Sequence, residues 1–523
     1  MKFFNTAGPT RDDDHYIIPV DDRIDVDQIM QLIAQKKYFV FHAPRQSGKT
    51  TSLLAIMKML NESGKYKCLY INVEAAQAGR ENVEEVNRSI LSTLERSEKI
   101  YLKEDIIAKN RENVLNSGIT NSLANIMTSW TMESSLPTVL FIDEIDSLVG
   151  DSLISVLRQL RSGYADRPEN FPQSVILCGV RDVRDYRIRG SKEKDIITGG
   201  SCFNIKAKSL RIGNFTFMDL ENLYLQHTKE TGQKFTDGAI KLAYELTGGQ
   251  PWLVNALAYE VCYELKEGKN RKNEITEELI QIAKENIIKS RVTHIDQLID
   301  KLNEDRVKKV IAPIVEGSEI GEIPQDDLQY CIDLGLVVSN GGKIEIANKI
   351  YQEVIPRELA YITQISLGSI FEPQWFVNED GSLNVEKLIA DFQHFFRENS
   401  QSWVERFSYK EAGPQLLLQA YLQRVINGGG RIFREYGLGR DRTDLMVEWK
   451  DKKRFVLELK ILRKSIEKTI EDGLEQTYKY MDKTASDVGH LLIFDRKDDK
   501  TWDEKVFREE KEYNGKKIIV WGM

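Results

Sequence analysis

The sequence predicts an α/β protein of several domains, and three observations carry this prediction. The chain has 523 residues, which exceeds what one hydrophobic core usually supports. Its first third alternates short apolar runs with helical patterns, as expected for a parallel sheet covered by helices on both faces. Residues 401–523 contain two alternating runs, a helical pattern and a further apolar run, which predict a separate α/β domain.

The first domain is predicted over residues 1–215 and contains four apolar runs with the length of buried strands. These runs are YFVFHA (38–43), CLYINV (68–73), TVLFID (138–143) and SVILCGV (174–180). Helices are expected after the first three runs, namely from Lys49 to about Leu60, between about 81 and 130, and near 150–161. Strands that alternate with helices in this way are expected to pair in parallel.

The segment HAPRQSGKTT lies between the first predicted strand and its helix, where a phosphate-binding P-loop is expected. The predicted nucleotide-binding residues are Ala43, Pro44, Arg45, Gln46, Ser47, Gly48, Lys49, Thr50 and Thr51. Backbone amides and the helix N-terminus would hold phosphate oxygens, Lys49 would reach the β- and γ-phosphates, and Thr50 would bind Mg²⁺. Ala43 stands where the motif usually has its first glycine. A chance Gly-Lys-Thr at a helix start is the alternative.

An acidic pair follows the third predicted strand, in the sequence TVLFIDEID. Asp143 is expected to hold Mg²⁺ through water, and Glu144 is expected to orient or deprotonate the attacking water. An ordinary strand end followed by an acidic helix cap is the alternative. With the P-loop, this pair predicts an ATPase core whose cofactors are ATP and Mg²⁺.

Two further domains are predicted before the C-terminal one. A helical lid is expected over 216–290, where the sequence TGGQPW interrupts the periodicity because Gly and Pro end one helix and begin the next. Shorter elements that end in the predicted hairpin VVSNGGKIEIA suggest a winged helix over 291–363, turned at Asn340-Gly341. Residues 364–400 are expected to form a connector.

Residues 1 to about 360 resemble a bacterial ATPase family of the AAA+/STAND type. The segments that carry the resemblance are FFNTAGP, HYIIPVDDR, PRQSGKTT, FIDEID, GGQPWLV and IANKIYQEVIPREL. The resemblance implies a sheet core, a lid that bears Gly249 and Pro251, and a winged helix. It also implies that His15, Tyr16 and Arg23 lie close to the nucleotide, although a packing or surface role is equally expected for His15.

The stretch RTDLMVEWKDKKRFVLELK (442–460) predicts a hairpin with one apolar face. Both strands must turn their apolar faces to the same side, so the numbers of directly paired residues must have an even sum. The connection near 450–453 must therefore contain three or five residues, unless a bulge intervenes. With that register, Asp444, Glu458 and Lys460 converge on the opposite face.

Two carboxylates on one face can bind a hard divalent cation, and a neighbouring lysine can activate the nucleophile and stabilise developing charge. Asp444, Glu458 and Lys460 thus resemble the PD-(D/E)xK nuclease signature, with Asp444 and Glu458 as metal ligands. The resemblance covers 401–523 and implies an α/β restriction-endonuclease-like domain with Gln476 and Tyr480 beside the metal. A charged surface hairpin, or a nuclease-like fold that only binds, is the alternative.

One helical glutamate of that signature is harder to find, and Glu411 is the candidate. Net charge is −8, but from Ser408 onward 24 Lys and Arg exceed 21 Asp and Glu, whereas the rest of the chain has 49 against 60. This positive charge suits a C-terminal domain that binds phosphates. Nucleic acid, expected to be DNA, is therefore the predicted partner. Homo-oligomerisation is left open.

The cytoplasm is the predicted location. The five cysteines lack C-x-x-C spacing, which argues against a zinc knuckle or a disulfide framework. No apolar h-region stands at the N-terminus, and no stretch approaches the ~20 apolar residues that cross a bilayer. No membrane partner is expected.

Three functions are compatible with these patterns. The first is an ATP-binding and ATP-hydrolysing switch that regulates a metal-dependent deoxyribonuclease, in a setting such as defence against phage or mobile elements. The second is a nucleotide-dependent scaffold or signalling protein with an inert nuclease-like fold. The third is an ATP-driven DNA translocase, for which the sequence offers no recognisable pore loop.

Overall fold

A computed structural model describes most of the chain. The described residues are 2–182, 187–189, 196–198, 203–290, 293–316, 323–341, 343–355, 376–378, 380–404, 417–418, 421–422, 431–438, 441–449, 453–462, 465–495 and 500–523. They form two compact units. Unit 1 contains Met1–His294 and Leu328–Val338, and unit 2 contains Ile295–Asp327 and Ser339–Met523.

Unit 1 is built on a five-stranded sheet whose neighbouring strands all pair in parallel. The strands of this unit are β1 Tyr38–His42, β2 Lys67–Asn72, β3 Thr138–Asp143, β4 Ser174–Gly179, β5 Arg187–Arg189, β6 Ile196–Thr198 and β7 Lys206–Arg211. The order across the sheet is β2-β3-β4-β1-β7, while β5 and β6 form a separate hairpin. The predicted parallel sheet is thereby confirmed, but its edge strand β7 was not predicted.

Helices cover both faces of this sheet. They are α1 Val20–Arg23, α2 Val26–Ala34, α3 Lys49–Glu62, α4 Val83–Tyr101, α5 Ile106–Asn116, α6 Ser122–Glu133 and α7 Gly150–Ser162. One hydrophobic cluster unites α4–α7 with one face, and a second unites α2 and α3 with the other. All six residues of β3 and of β4 are buried, because each strand packs against helices on both sides.

Five helices follow the sheet in the predicted lid. They are α8 Phe217–Thr231, α9 Asp237–Thr247, α10 Pro251–Tyr259, α11 Lys266–Lys269 and α12 Glu277–Lys289. Local chemistry fixes their ends. Thr216 and Asp219 form a capping box at the start of α8, and Gln250 caps α10, whose first residue is Pro251.

The segment predicted as a winged helix contains three helices and then a hairpin, as expected, and the helical residues 349–355 follow. The three helices and the two strands of the hairpin are α13 Thr293–Leu302, α14 Asp305–Glu316, α15 Gln325–Asp333, β8 Val337–Asn340 and β9 Lys343–Ile346. Gly341 lies in the turn with a φ of +58°, a left-handed conformation that favours glycine. The segment is divided between the two units, so the winged helix stays a prediction.

Unit 2 contains a six-stranded mixed sheet. Its strands are β10 Arg431–Leu438, β11 Asp441–Glu448, β12 Arg454–Ile461, β13 Val488–Phe494, β14 Phe507–Tyr513 and β15 Lys516–Gly522. The order is β10-β11-β12-β13-β15-β14, in which β12, β13 and β15 are parallel and the remaining pairs are antiparallel. The C-terminal region therefore has its own α/β sheet, as predicted, while the nuclease fold stays a prediction.

Three helices of unit 2 are α16 Val385–Val404, α17 Ile466–Thr484 and α18 Trp502–Lys505. Helix α17 packs on the sheet through a cluster that includes Val456, Tyr480 and Leu491. Helix α16 is continuous across 400 and 401, so the predicted boundary between connector and last domain lies inside a helix. Its Gln393 donates hydrogen bonds to the backbone oxygens of Phe507 and Gly522, which ties this helix to the sheet.

The register of β11 and β12 confirms the even-sum prediction. Leu445 pairs with Leu457, and Val447 pairs with Phe455, so the apolar faces of both strands coincide. The backbone N–H of Trp449 donates to the carbonyl oxygen of Lys453 at 3.0 Å, which closes a three-residue connection. Within the described part of the chain, every helix is too short or too polar to span a lipid bilayer.

Candidate functional site

The P-loop connects β1 to α3 and folds around the side chain of Lys49. Gln46 and Gly48 adopt left-handed conformations, with φ of +56° and +93°, which close the loop tightly. The Lys49 ammonium donates hydrogen bonds to the carbonyl oxygens of Ala43 and Pro44, each at 3.0 Å. Lys49 is 5% exposed, so its charge lies inside the loop where a phosphate group would bind.

Thr50 and Asp143 meet although 93 residues separate them in sequence. The hydroxyl of Thr50 donates to Oδ2 of Asp143 at 2.6 Å, and the phenol of Tyr70 donates to the same oxygen at 2.9 Å. Asp143 is fully buried at the end of β3, beside Tyr70 on the neighbouring strand β2. A hydroxyl and a carboxylate oxygen in contact are the oxygen donors that Mg²⁺ prefers, so these residues fit the ion.

Tyr70 was not identified from the sequence. It lies within the apolar run predicted as the second strand, where a tyrosine is expected simply to pack. Only the pairing of β2 with β3 brings its hydroxyl to Asp143, and sequence spacing carries no signal for this contact. Burial and the nearby Asp143 carboxylate both raise the pKa of the Tyr70 phenol, so Tyr70 stays a hydrogen-bond donor at neutral pH.

Glu144 follows Asp143 in a left-handed conformation, with a φ of +56°. Its backbone N–H donates to Oδ1 of Asp143 at 2.9 Å, which fixes the turn after β3. Burial raises the pKa of the Glu144 carboxyl, an effect opposed by the charge of Lys49 and increased by Asp146 and Asp143. A carboxylate of raised basicity near the Lys49 ammonium has the properties of a general base.

A cavity of 660 Å³ lies next to the P-loop in unit 1. The N-terminal segment, the P-loop, α3 and the lid all contribute to its wall. The backbone N–H of Thr10 donates to the hydroxyl of Thr51 at 3.2 Å, and the indole N–H of Trp252 donates to the carbonyl of Thr6 at 2.8 Å. The N-terminal segment is thus held between the P-loop helix and the lid.

Tyr16 and Arg23, which the family resemblance places close to the nucleotide, line this cavity. Arg23 donates to the carbonyl oxygens of Ser47 and Gly213, at 3.1 and 3.0 Å, and so connects the P-loop to the segment before the lid. Burial lowers the pKa of the Arg23 guanidinium to about 10, which still leaves it charged at neutral pH. His15 accepts a hydrogen bond from a backbone N–H instead, and it is not among the residues that line the cavity.

Arg181 lies two residues beyond the end of β4 and contacts the segment 328–338. Its Nε is 3.6 Å from Oδ2 of Asp333, and its guanidinium stacks on the ring of Tyr330. Gly335 approaches the ring of Pro44 so closely that an added Cβ would lie 3.0 Å from it. The segment 328–338 therefore packs directly against the P-loop.

In unit 2, Glu458 and Lys460 form an ion pair with 2.8 Å between Nζ and Oε1. The Glu458 side chain is 3% exposed and that of Lys460 is 26% exposed, so the lysine lies nearer to solvent than the carboxylate. The β11–β12 register, extended by one pair, sets position 444 opposite 458. The Asp444 side chain and Glu411 lie outside the described residues. Among the described residues, no group of three or more His, Cys, Asp or Glu side chains is placed to hold a metal ion.

Lys460 and Gln476 share a cavity of 360 Å³ between β12 and α17. The lining residues are Lys460, Ile461, Thr469, Asp472, Glu475, Gln476 and Lys479. The Oε1 atom of Gln476 is buried and accepts no hydrogen bond. Tyr480, one helical turn later, is 2% exposed and packs in the hydrophobic cluster beneath α17. The structure thus brings Lys460 and Gln476 together and places Tyr480 in the core.

The P-loop region matches a known family. Residues 33–186 match the family model described as an AAA domain. This match supports an AAA-like ATPase. The AAA-like domain so defined contains the P-loop, Asp143 and Glu144, and ATP is its expected ligand. No curated protein sequence matches the chain.

Solved structures similar to the chain include proteins from three organisms. A Walker-type ATPase of Pyrococcus abyssi is 14% identical, with a TM-score of 0.47, and the match covers 67% of this chain and 99% of that one. Cdc6p of Pyrobaculum aerophilum is 14% identical, with a TM-score of 0.37 and coverage of 65% and 93%. The Thermotoga maritima RuvB Holliday junction branch migration motor is 14% identical, with a TM-score of 0.34 and coverage of 63% and 94%. Likeness at this level does not extend to function.

Proposed function

We propose that this protein is an ATP-hydrolysing switch that controls a metal-dependent nuclease in its C-terminal domain. The observation that carries the ATPase part is the contact between Thr50 Oγ1 and Asp143 Oδ2, at 2.6 Å, beside the enclosed Lys49 ammonium. This combination gives one site for a phosphate chain and one for its divalent cation. Such a combination is what phosphoryl transfer requires.

Each residue of the ATPase site has a separate task in this proposal. Lys49 leaves the carbonyl oxygens of the loop and binds the β- and γ-phosphates, while backbone N–H groups at the start of α3 hold the remaining oxygens. Thr50 and Asp143 would hold Mg²⁺, which would supply positive charge beside the phosphates. Glu144 accepts a proton from the attacking water, for which its raised pKa is suited. Tyr70 keeps Asp143 oriented through its hydrogen bond.

The nuclease part of the proposal is supported by the buried Glu458 carboxylate and its ion pair with Lys460. Glu458 and Asp444 would hold Mg²⁺, and Lys460 would orient the water and stabilise charge on the scissile phosphate of DNA. Further support comes from Gln476, whose buried Oε1 is an oxygen acceptor without a hydrogen bond next to this site. The β11–β12 register, continued one pair beyond Leu445 and Leu457, would set 444 opposite 458, which favours a shared cation.

A cleavage assay on the full-length protein tests both parts. Plasmid DNA is incubated with Mg²⁺ or Mn²⁺, with and without ATP, and the release of phosphate from ATP is measured in parallel. We expect Lys49→Ala to weaken nucleotide binding and lose ATP hydrolysis, and Asp444→Ala to lose cleavage but keep hydrolysis. If ATP controls cleavage, Lys49→Ala should cleave DNA with ATP at the same rate as the wild-type protein does without ATP.

Two exposed residues provide matched controls. Lys109→Ala removes a lysine from the surface of α5, and Glu509→Gln neutralises a carboxylate on the edge strand β14. Both should leave hydrolysis and cleavage unchanged. Absence of cleavage by the wild-type protein under all conditions, with no effect of Asp444→Ala in cells, would favour an ATP-dependent scaffold with an inert nuclease-like domain. Plaque assays with the Lys49→Ala and Asp444→Ala strains test the proposed role in defence.

A further inference from the structure

Asn255 lies in the lid helix α10, one turn after Pro251, and it lines the cavity next to the P-loop. The residue is 8% exposed. Its Nδ2 donates a hydrogen bond to the carbonyl oxygen of Pro251 at 2.8 Å. A carbonyl oxygen only accepts hydrogen bonds, so this contact fixes which end of the amide is NH₂ and which is oxygen.

The other end of the amide has no partner. The Oδ1 atom of Asn255 is buried and accepts no hydrogen bond. Of the described residues that line the cavity, Asn255 is the one that carries a buried side-chain atom in this condition. A buried acceptor without a donor is unfavourable, and ligand-binding sites are a frequent reason for its presence.

The cavity that the Asn255 side chain lines suits a purine base. Its phosphate end is formed by Ser47 and Gly48 of the P-loop, and apolar side chains form another part of its wall. These apolar side chains are Pro19, Phe215, Leu223 and Trp252. Ligand sites typically combine such apolar walls with a few polar groups that fix orientation and specificity.

We propose that Oδ1 of Asn255 accepts a hydrogen bond from the 6-amino group of adenine and thereby selects adenine over 6-oxopurine nucleotides. This inference rests on the proposed function of the P-loop as a nucleotide site. Adenine presents a donor at position 6, whereas hypoxanthine and guanine present an acceptor there. Two acceptors cannot form a hydrogen bond, and the mismatch leaves both groups desolvated and unpaired.

Isothermal titration calorimetry with ADP and IDP tests the inference without hydrolysis. The two nucleotides share their phosphates and ribose and differ at position 6 and in the proton on N1. We expect the wild-type protein to bind ADP about tenfold more tightly than IDP or better, which is the preference that one satisfied buried acceptor provides. In Asn255→Leu the preference should fall to within about twofold, mainly through weaker ADP binding.

Asn5 offers a matched control. It also lines the cavity and is 9% exposed, but its amide is already satisfied within the N-terminal segment. Its Nδ2 donates to the carbonyl oxygen of Gly8 at 2.9 Å, and its Oδ1 accepts from the N–H of Ala7 at 3.1 Å. Asn5→Leu should therefore change the affinities for ADP and IDP by the same factor. Asn255→Ala, which adds no bulk, serves if Asn255→Leu does not fold by circular dichroism.

The possible outcomes separate this inference from the function on which it rests. An ADP preference that persists unchanged in Asn255→Leu and Asn255→Ala would overturn the role of Asn255, as would an equal loss of both affinities. Wild-type protein that binds neither ADP nor IDP would overturn the nucleotide site itself. Lys49→Ala should weaken both nucleotides equally, which leaves the ADP preference intact.

Discussion

Gly249 is a lid residue at which one added methyl group should have a large and measurable effect. It lies in the turn between α9 and α10 with a φ of +70°. A Cβ atom there would lie 2.0 Å from the carbonyl oxygen of Phe215 and 3.0 Å from its carbon. The obstacle is backbone, which cannot rotate away as a side chain would. The carbonyl oxygen of Gly249 also accepts from the N–H of Phe215 at 2.8 Å.

The cost of Gly249→Ala has three physical sources. A residue with a Cβ pays roughly 1–2 kcal/mol in the left-handed region. Moving the two chain segments apart costs the hydrogen bond between Phe215 and Gly249, worth about 1 kcal/mol. Displaced packing around the turn adds on the order of 1–3 kcal/mol. We therefore expect Gly249→Ala to lower the free energy of unfolding by about 3 kcal/mol or more.

Gly232→Ala isolates the conformational part of this cost. Gly232 ends α8 with a φ of +77°, and an added Cβ there meets no atom within 4 Å. Gly232→Ala should therefore lower the free energy of unfolding by only about 1–2 kcal/mol. Urea denaturation followed by circular dichroism compares the stabilities of the two variants. Calorimetric titration with ADP measures whether the cavity still binds nucleotide, since Pro251 and Trp252 follow Gly249 closely and line the cavity.

Equal stability of Gly249→Ala and Gly232→Ala would refute the reasoning. It would mean that the backbone of Phe215 does not lie against the turn in solution. We expect instead that Gly249→Ala is about 2 kcal/mol less stable than Gly232→Ala, in proportion to the lost hydrogen bond and packing. ADP affinity should fall in Gly249→Ala and stay unchanged in Gly232→Ala, because only the former turn joins the cavity wall.

Three further predictions concern other parts of the chain. Glu144→Gln should keep ADP affinity but lower ATP hydrolysis at least about 100-fold, and the wild-type rate should fall as pH drops through the raised pKa of Glu144. Burial lowers the pKa of His490 to about 3, so the unfolded state protonates first. Urea titrations should show about 1.4 kcal/mol of stability lost between pH 7.5 and 5.5, a loss absent in His490→Leu. Gly473→Val would set a Cβ 2.6 Å from the Leu491 side chain. Denaturation should show about 1–3 kcal/mol of lost stability. A substitution at an exposed position on the same helix should show no loss.

Local sequence was sufficient to predict the strands and helices that carry the nucleotide site. The run TVLFID coincides with β3, because a short apolar run that follows Pro137 and ends at an acidic pair has the length and flanking residues of a buried strand. The P-loop was equally recognisable, since Gly48 and Lys49 must follow one another at the start of a helix. The alternation of the C-terminal hairpin predicted its register for the same kind of reason.

The edge strand β7 shows where periodicity fails. Its sequence KAKSLR contains three cations and has a mixed pattern of burial, so no apolar run announces it. It becomes a strand because β1 presents an open edge with which it pairs in parallel. Charged residues are common on such edges, where they discourage pairing with other chains.

What the sequence by itself determined is the identity and local setting of the reactive groups, because these depend on contacts between near neighbours in the chain. Only the tertiary structure decided which distant groups meet. The hydrogen bond from Tyr70 to Asp143 forms because β2 pairs with β3. The Oδ1 atom of Asn255 lacks a hydrogen bond because of the way the lid packs beside the cavity. Such contacts join residues far apart in sequence, and packing geometry, which no local pattern encodes, selects them.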